Sequence, residues 1–437
     1  RRRQAVDGLC IDAADLLSSC FSVAATDSQE LDIDGQFALD SLQRIPGLPD
    51  TWQVGGAVSG EVDLQGTLER INGIAKISLD GLRIARVSDD PLSEETQQID
   101  VDVAEVVAQW QDGLLQLAST LRSRRGATLG GELTLDSWLQ PDSPIAGRID
   151  WNTNDLATLD VVVPSVRIGS GQARVAALVS GTRSTPGVQI EGALSGGEFF
   201  VLPTNTALSG VDVNLVGGLF DAVKIRASAQ SGSGTASFDG SAGMGPVGPF
   251  VRGTFLATDA LLADLEDVRL SASARLALGW HPYSLSVVGR ARFDDTRIAV
   301  KALPPSAVRI SPDAVIQVDH QRATLTPVSF RHIDVTTTLG DDVRLSGFGL
   351  KTGLSGEIRL KQFSEAPLAG YGRLELVDAA YRAYGQSLSV TRGVLDFSGP
   401  LEVPYLSLRA ERDIDAGSVG IDISGSPDAL VSDLFSE

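Results

Sequence analysis

The sequence predicts an all-β protein: an elongated β-repeat sheet folded lengthwise into an open apolar trough, a β-taco, with few short helices. Three observations point to this class. Hydrophobic residues make up 43% of the chain but aromatic residues only 5%, and there are 46 glycines. Apolar and polar residues alternate with a period of two from end to end, and turn dipeptides recur at short intervals. Strands joined by glycine-rich turns have these properties, whereas helices disfavour glycine.

The alternation is clearest near the beginning of the chain. In residues 31–40 the odd positions are apolar or glycine and most even positions are acidic or amide, and residues 58–69 follow the same rule with the opposite parity. The pattern returns at 211–215 and 419–423. Successive side chains of a strand point to opposite faces, so each predicted strand has one apolar face and one polar face.

Turns are predicted at glycine dipeptides such as Asp80-Gly81, Gly130-Gly131 and Asp239-Gly240. The spacing of such signals gives about 25 to 30 strands, which would make a sheet on the order of 120 to 140 Å long.

Helical patterns are confined to three short segments at 12–18, 104–110 and 260–265, which are too short to cover so much sheet. The apolar face must then be covered by a second sheet, as in a sandwich, or by the same sheet folded into a trough. Smooth walls of Val, Leu, Ile and Ala favour the trough, which could hold a ligand where a sandwich could not.

The chain is expected to form one continuous body over residues 1–437. Within it we distinguish an N-proximal part, 1–230, and a C-terminal part, 251–437. Between them the glycine-rich segment 231–250 is predicted to be a loop or bend, with a flexible linker as the alternative.

The net charge of −20 argues against nucleic acid and anionic membrane surfaces as partners. The three arginines Arg1–Arg3 are interpreted as a solvated end rather than a membrane anchor. No apolar run approaches the ~18 residues of a transmembrane helix. The first residue is not Met and no signal peptide is present, so we expect an internal segment of a longer protein.

The two cysteines, Cys10 and Cys20, lie ten residues apart with no third cysteine and no histidine nearby. A hairpin would bring them face to face. A disulfide, and therefore an oxidising compartment, is the prediction; two buried free thiols are the alternative.

No residue pattern indicates catalysis, a metal or a cofactor. His281, His320 and His332 are scattered and never at metal-ligand spacing. The glycines of 243–248 match a dinucleotide pattern, but Pro246 is incompatible with the helix that the pattern requires. We therefore expect a protein that is not an enzyme and has no metal site.

The C-terminal part contains a series of short motifs in fixed order. They are Leu339–Leu350, Tyr381–Gln386, Arg392-Gly393 and Phe397–Leu401, followed by Pro404 and Leu406. In order and spacing these motifs resemble the C-terminal region of the TamB family. Residues 293–316 are similar to that family as well, as are Cys10, Cys20 and Gly55-Gly56 with Gly60 near the start, so the resemblance covers essentially the whole chain.

The resemblance implies a body in the periplasm of the Gram-negative cell envelope, tethered to the inner membrane by an upstream helix. It also implies an outer-membrane partner of the Omp85 class, TamA or a BamA-like protein. TamB and AsmA-like proteins are similar to bridge-like lipid transfer proteins, whose apolar trough conducts phospholipids. The expected function is to carry phospholipids between inner and outer membrane.

The alternative function is an assembly scaffold for outer-membrane β-barrel proteins and autotransporters. It would use a free edge strand, expected around Val419–Ile423, for strand addition to the partner.

The trough hypothesis makes a specific prediction about side chains. Phospholipid acyl chains are expected to lie against inward aliphatic positions of the C-terminal strands, although a single bulge would reverse the parity downstream. The predicted lining residues are Leu354, Ile358, Leu360, Leu374, Leu376, Leu388, Val390, Leu395, Phe397, Leu406 and Leu408.

Overall fold

A computed structural model of the protein describes thirteen stretches of the chain. They are residues 4–13, 17–25, 31–39, 52–67, 70–86, 97–137, 140–156, 165–218, 221–300, 330–347, 349–383, 386–414 and 417–436. These residues form 26 β-strands, and the only helical element described among them is a single 3₁₀ turn, Leu202–Thr204. The all-β class is confirmed.

The chain divides into two compact units. The N-terminal unit comprises Arg1–Phe200 and Gly210–Lys224, and the C-terminal unit comprises Val201–Ser209 and Ile225–Glu437. Strands assigned to the N-terminal unit are β1 (Gln4–Ala13), β2 (Leu17–Ala25), β3 (Leu31–Leu39), β4 (Trp52–Thr67), β5 (Arg70–Arg86), β6 (Gln97–Gln111), β7 (Leu114–Ser123), β8 (Thr128–Asp136), β9 (Ile145–Thr153), β10 (Val166–Ile168), β11 (Gln172–Gly181) and β12 (Pro186–Val201).

Strands β13 (Thr206–Gly218) and β14 (Ala222–Ser231) contain residues of both units, as β12 does through its last residue, Val201. Those of the C-terminal unit are β15 (Gly234–Gly245), β16 (Gly248–Asp264), β17 (Val268–His281), β18 (Ser284–Val300), β19 (Phe330–Leu339), β20 (Val343–Gly347), β21 (Leu350–Phe363), β22 (Ala369–Ala383), β23 (Gln386–Pro400), β24 (Tyr405–Ile414), β25 (Gly417–Gly425) and β26 (Val431–Ser436).

The N-terminal unit is an antiparallel meander. Each strand from β1 to β8 pairs with the next one in sequence, β9 pairs with β11, and β11 pairs with β12. Pairing of sequence neighbours follows from the short turns, which allow antiparallel ladders only.

The C-terminal unit is antiparallel except at one place. Strand β18 pairs in parallel with both β19 and β20, which lie end to end and both pair antiparallel with β21. From β21 to β26 the meander resumes. The alternation of side chains along β18 and β19 gives no sign of this exception, because the period of two is the same in parallel and antiparallel strands.

Several predicted loops and helices are strands instead. Residues 104–110 belong to β6, and residues 260–264 are the end of β16. Of the predicted helix at 12–18, Asp12 and Ala13 end β1, and Leu17 and Ser18 begin β2. Residues 14–16 lie outside the described part of the chain. The segment 231–250, expected as a loop or bend, contains the last residue of β14, all of β15 and the start of β16. Cross-strand pairing outweighs the weak local propensity of such short segments.

The three predicted turns Asp80-Gly81, Gly130-Gly131 and Asp239-Gly240 also lie inside strands. Gly81 is in β5 with a φ of +59°, a conformation that favours glycine. Gly240 is in β15, where an added Cβ would lie 2.4 Å from the carbonyl oxygen of Arg252 in the next strand. These glycines therefore permit irregular or close backbone contacts within the sheet rather than marking its turns.

A series of β-bulges bends the strands of each unit. In the N-terminal unit the register shifts between Gly55 and Ala57 and between Val101 and Val103. Side chains from both sides of these bulges pack together in one cluster: Val54, Leu82, Val101 and Ala104, with Leu79, Ile84, Ile99 and Leu121 against them. Val101 and Ala104, on the two sides of the second bulge, therefore pack in the same cluster although their positions differ in parity.

At three bulges of the C-terminal unit the irregular residue is an aspartate. Asp259, Asp295 and Asp378 all have positive φ, between 38° and 49°. Aspartate tolerates this left-handed conformation better than most residues, which explains its use at irregular positions of β16, β18 and β22.

Candidate functional site: two apolar faces

The N-terminal apolar face is formed by side chains that stand opposite one another on successive strands. One row passes from β3 to β11 through Phe37, Gly60, Ile77, Val106, Ser119, Gly131, Ile149 and Ala177. A second row contains Ile33, Leu64, Gly73, Trp110, Leu115, Leu135 and Ile145. Ser119 is the one hydroxyl side chain in these two rows.

Several side chains of the first row are exposed to solvent. Ile77, Val106 and Ile149 are exposed by 39%, 38% and 42%. Three large aliphatic side chains in one register row, all accessible to solvent, make an exposed apolar surface rather than a closed core.

The C-terminal apolar face is built in the same way from β15 to β25. One row contains Ala236, Ala257, Ala274, Ala291, Thr337, Ile358, Gly372 and Phe397. A neighbouring row contains Phe293, Leu339, Gly356, Leu374, Leu395, Leu406 and Gly425. The parallel step from β18 to β19 does not interrupt either row, because partners in both kinds of ladder point to the same face.

All eleven predicted lining residues lie on the C-terminal apolar face. Leu354 stands opposite Leu376, and Leu374, Leu395 and Leu406 share one row. Four of the eleven, Leu354, Ile358, Leu374 and Leu408, are buried, and the others are half-buried.

A bulge explains why these positions change parity within β23. Val390 pairs with Ala410, Gly393 pairs with Leu408, and the register shifts in between. Leu388 and Val390, at even positions, therefore share a face with Leu395 and Phe397, at odd positions.

The predicted lining residues represent only half of this face. Strands β15 to β19 contribute Phe238, Phe255, Leu276, Val287 and Val335. Their alternating pattern is as regular as that of the selected strands. The periodicity within one strand does not give the register between strands, and without the register these residues cannot be aligned with the others on the face.

The opposite face of the C-terminal unit is polar and carries cross-strand ion pairs. Arg359 contacts Asp334 at 2.6 Å, and Arg373 contacts Asp396 at 2.7 Å. The hydrogen bond from Arg359 lowers the pKa of the Asp334 carboxyl, because it stabilises the charged form. Each pair links neighbouring strands on the solvent side.

The histidines and cysteines give no evidence of a metal site within the described residues. His281 ends β17 and His332 lies in β19, whereas His320 is outside the described residues. Within the described stretches no group of three His, Cys, Asp or Glu side chains could hold a metal ion. Cys10 and Cys20 are directly opposite in the β1–β2 ladder, and the disulfide between them remains a prediction. No helix among the described residues has the length and apolar content needed to cross a membrane.

Comparison with known proteins identifies the family. The family model described as the TamB C-terminal domain matches residues 224–437, which coincide closely with the C-terminal unit. The chain belongs to the TamB family. A curated relative, the translocation and assembly module subunit TamB of Haemophilus influenzae, is 29% identical over 189 residues. That match covers 39% of this chain and 14% of the relative, so the chain corresponds to a small part of the relative's length.

The free edge of this TamB-family chain is not where it was expected. Val419–Ile423 lies within β25, which pairs with β24 on one side and with β26 on the other. The last described strand is β26, for which no second partner is found among the described residues. Leu434 in β26 is 80% exposed.

Proposed function

We propose that this TamB-family chain carries phospholipids along its apolar faces, as a part of a translocation and assembly module in the Gram-negative cell envelope. The observation that carries the proposal is the register. Apolar side chains stand opposite one another on every strand from β15 to β25, and on the strands from β3 to β11 of the other unit. An Omp85-class partner (TamA or BamA-like), a periplasmic location and an inner-membrane tether belong to the same proposal.

The physical need for such a surface is large. Each methylene of an acyl chain contributes ~0.8 kcal/mol when it is removed from water. A chain of ~16 carbons that crosses the periplasm unshielded therefore costs more than about ten kcal/mol. A continuous apolar face offsets most of this cost at every point of the path, while the head group stays in water.

The composition of the faces favours movement along them. Neighbouring strands present the same few residue types, namely Leu, Ile, Val, Ala, Phe and Gly, at equivalent positions. Adjacent binding positions for an acyl chain then have similar free energies, so a lipid meets no deep trap between one strand and the next.

The test is a charge placed on the apolar face. Leu376→Arg puts a guanidinium beside Leu354, whereas Glu375→Arg puts the same group on the polar face one residue away and is the matched control. We expect purified wild type and Glu375→Arg to retain several phospholipids per chain in native mass spectrometry, and Leu376→Arg to retain fewer and to fail in lipid transfer between vesicles.

A second variant controls for misfolding of Leu376→Arg. Val106→Arg changes an already exposed position of the N-terminal apolar face and should fold. Circular dichroism checks that all variants keep their strand content. A lipid-free wild type that takes up no fluorescent lipid would refute lipid carriage, and unchanged transfer by Leu376→Arg would exclude the C-terminal face as the path.

A second function, strand addition to an outer-membrane partner, is favoured by β26. Its exposed side chains include Val431 and Leu434, and among the described residues it pairs with β25, so strand addition would use its other edge. Successive N–H groups of a strand point in opposite directions, so one of the variants Asp433→Pro and Leu434→Pro removes an outward donor. If partner capture is lost in one of them while Leu376→Arg captures normally, the edge is the docking site; capture by both proline variants excludes it.

A further inference from the structure

One buried hydroxyl on the C-terminal apolar face has no hydrogen-bond partner among the described residues. Three threonines on this face are buried: Thr296, Thr337 and Thr352. Thr296 Oγ1 donates to the carbonyl oxygen of Asp294 at 3.0 Å, and Thr352 Oγ1 donates to that of Gly353 at 2.6 Å. Thr337 Oγ1 is buried and finds no acceptor or donor within the described part of the chain.

The neighbours of Thr337 are apolar in every direction on the face. Ala291 and Ile358 are opposite it on β18 and β21, and Val335 and Leu339 flank it along β19. A buried hydroxyl without a partner costs ~1–3 kcal/mol, and valine would fill the same space without that cost. Packing alone therefore does not account for a threonine here.

The N-terminal apolar face has a comparable group. Trp110 Nε1 is buried and has no hydrogen-bond partner within the described stretches, and Trp110 stands between Gly73 and Leu115 in its row. An indole N–H can only donate, and a hydroxyl can also donate. In the part of the chain that the structure describes, each apolar face thus contains an unpaired donor among hydrocarbon side chains, so the ligand that suits both faces has hydrocarbon chains and an acceptor oxygen.

We propose that the Thr337 hydroxyl binds an ester carbonyl of an acyl lipid, and that the Trp110 indole does the same on the N-terminal apolar face. This inference rests on the proposed function and specifies its ligand. The ester carbonyls are the acceptors nearest to the acyl chains. A donor within the face therefore sets how deep the chains lie and gives preference to ester-linked over ether-linked lipids, which lack that carbonyl.

The experiment compares ester-linked dioleoyl phosphatidylethanolamine with its diether analogue, using the full chain and native mass spectrometry. One hydrogen bond corresponds to about a fivefold preference for the ester lipid in wild type. Thr337→Val should reduce this preference, Thr337→Ser should keep it, and Thr337→Val combined with Trp110→Phe should abolish it. Thr338→Val is the matched control, because Thr338 is the next residue of β19 and faces the polar side opposite Glu357.

The outcomes separate this inference from lipid carriage itself. Equal binding of both lipids by wild type, or an undiminished preference in the double variant, overturns the inference while lipid carriage stands. A preference lost equally in Thr338→Val also overturns it, because that hydroxyl is on the other face. If wild type binds neither lipid, the proposed function fails first. A higher midpoint of thermal unfolding for lipid-free Thr337→Val supports the unpaired hydroxyl independently.

Discussion

The two units present the same kind of apolar face with different accessibility. In the N-terminal unit, Ile77, Val106 and Ile149 of one register row are exposed, whereas in the C-terminal unit Ile358, Leu374 and Leu408 are less than one-tenth exposed. Both faces arise from the same alternation of apolar and polar residues. Accessibility is therefore a property of each sheet's own packing. Under the proposed function, an open face would suit lipid uptake and a covered one retention.

The largest expected effect is on stability. Leu374→Ala should lower the free energy of unfolding by about 2–4 kcal/mol, because it leaves a cavity in a covered region. Ile77→Ala removes a similar side chain from an open row and should cost less than about 1 kcal/mol. Urea unfolding followed by circular dichroism measures both. Equal losses would show that the two faces are covered alike in solution.

An intermediate effect is expected in chemical accessibility. Val106→Cys should react with a small maleimide much faster than Ile358→Cys, since the first position is exposed and the second is buried. Mass spectrometry of the labelled peptides separates these thiols from Cys10 and Cys20. Added phospholipid should slow the reaction at Val106→Cys; similar rates at both positions without lipid would remove the distinction between open and covered faces.

The smallest effect concerns the polar face of the C-terminal unit and its dependence on pH. The Asp334 pKa is lowered in the folded protein by Arg359, so the pair stabilises the fold above the unfolded-state pKa of about 3.9. That contribution disappears as the pH falls through the lowered folded-state pKa. Asp334→Asn should flatten this part of the profile of stability against pH, measured by thermal unfolding from pH 2 to 6. An unchanged profile would mean that the exposed pair contributes nothing.

Part of the candidate site could be predicted from local patterns. The even positions of β21 and β22 identify Leu354, Ile358, Leu374 and Leu376 as members of one face, because side chains alternate along any strand. The bulge between Val390 and Gly393 could not be located in this way. A bulge is an extra residue relative to the partner strand, and it becomes visible only when the partner is known.

The edge strand could not be identified from local patterns either. Val419–Ile423 has the strongest alternation near the C-terminal end of the chain, but the exposed strand is Val431–Ser436, whose pattern is weaker. Whether a strand is central or at an edge depends on its neighbours and not on its own residues.

The amino-acid sequence by itself determined that this protein is all β and that its strands have one apolar and one polar face, because both properties depend on residues close together in the chain. Only the tertiary structure decided which strands stand side by side, including the parallel pairing of β18 with β19, and where the apolar faces are open or covered. Those features depend on hydrogen bonds and packing between distant residues, and local periodicity does not encode them. The unpaired hydroxyl of Thr337 belongs to this second group, since its isolation is defined by neighbours on two other strands.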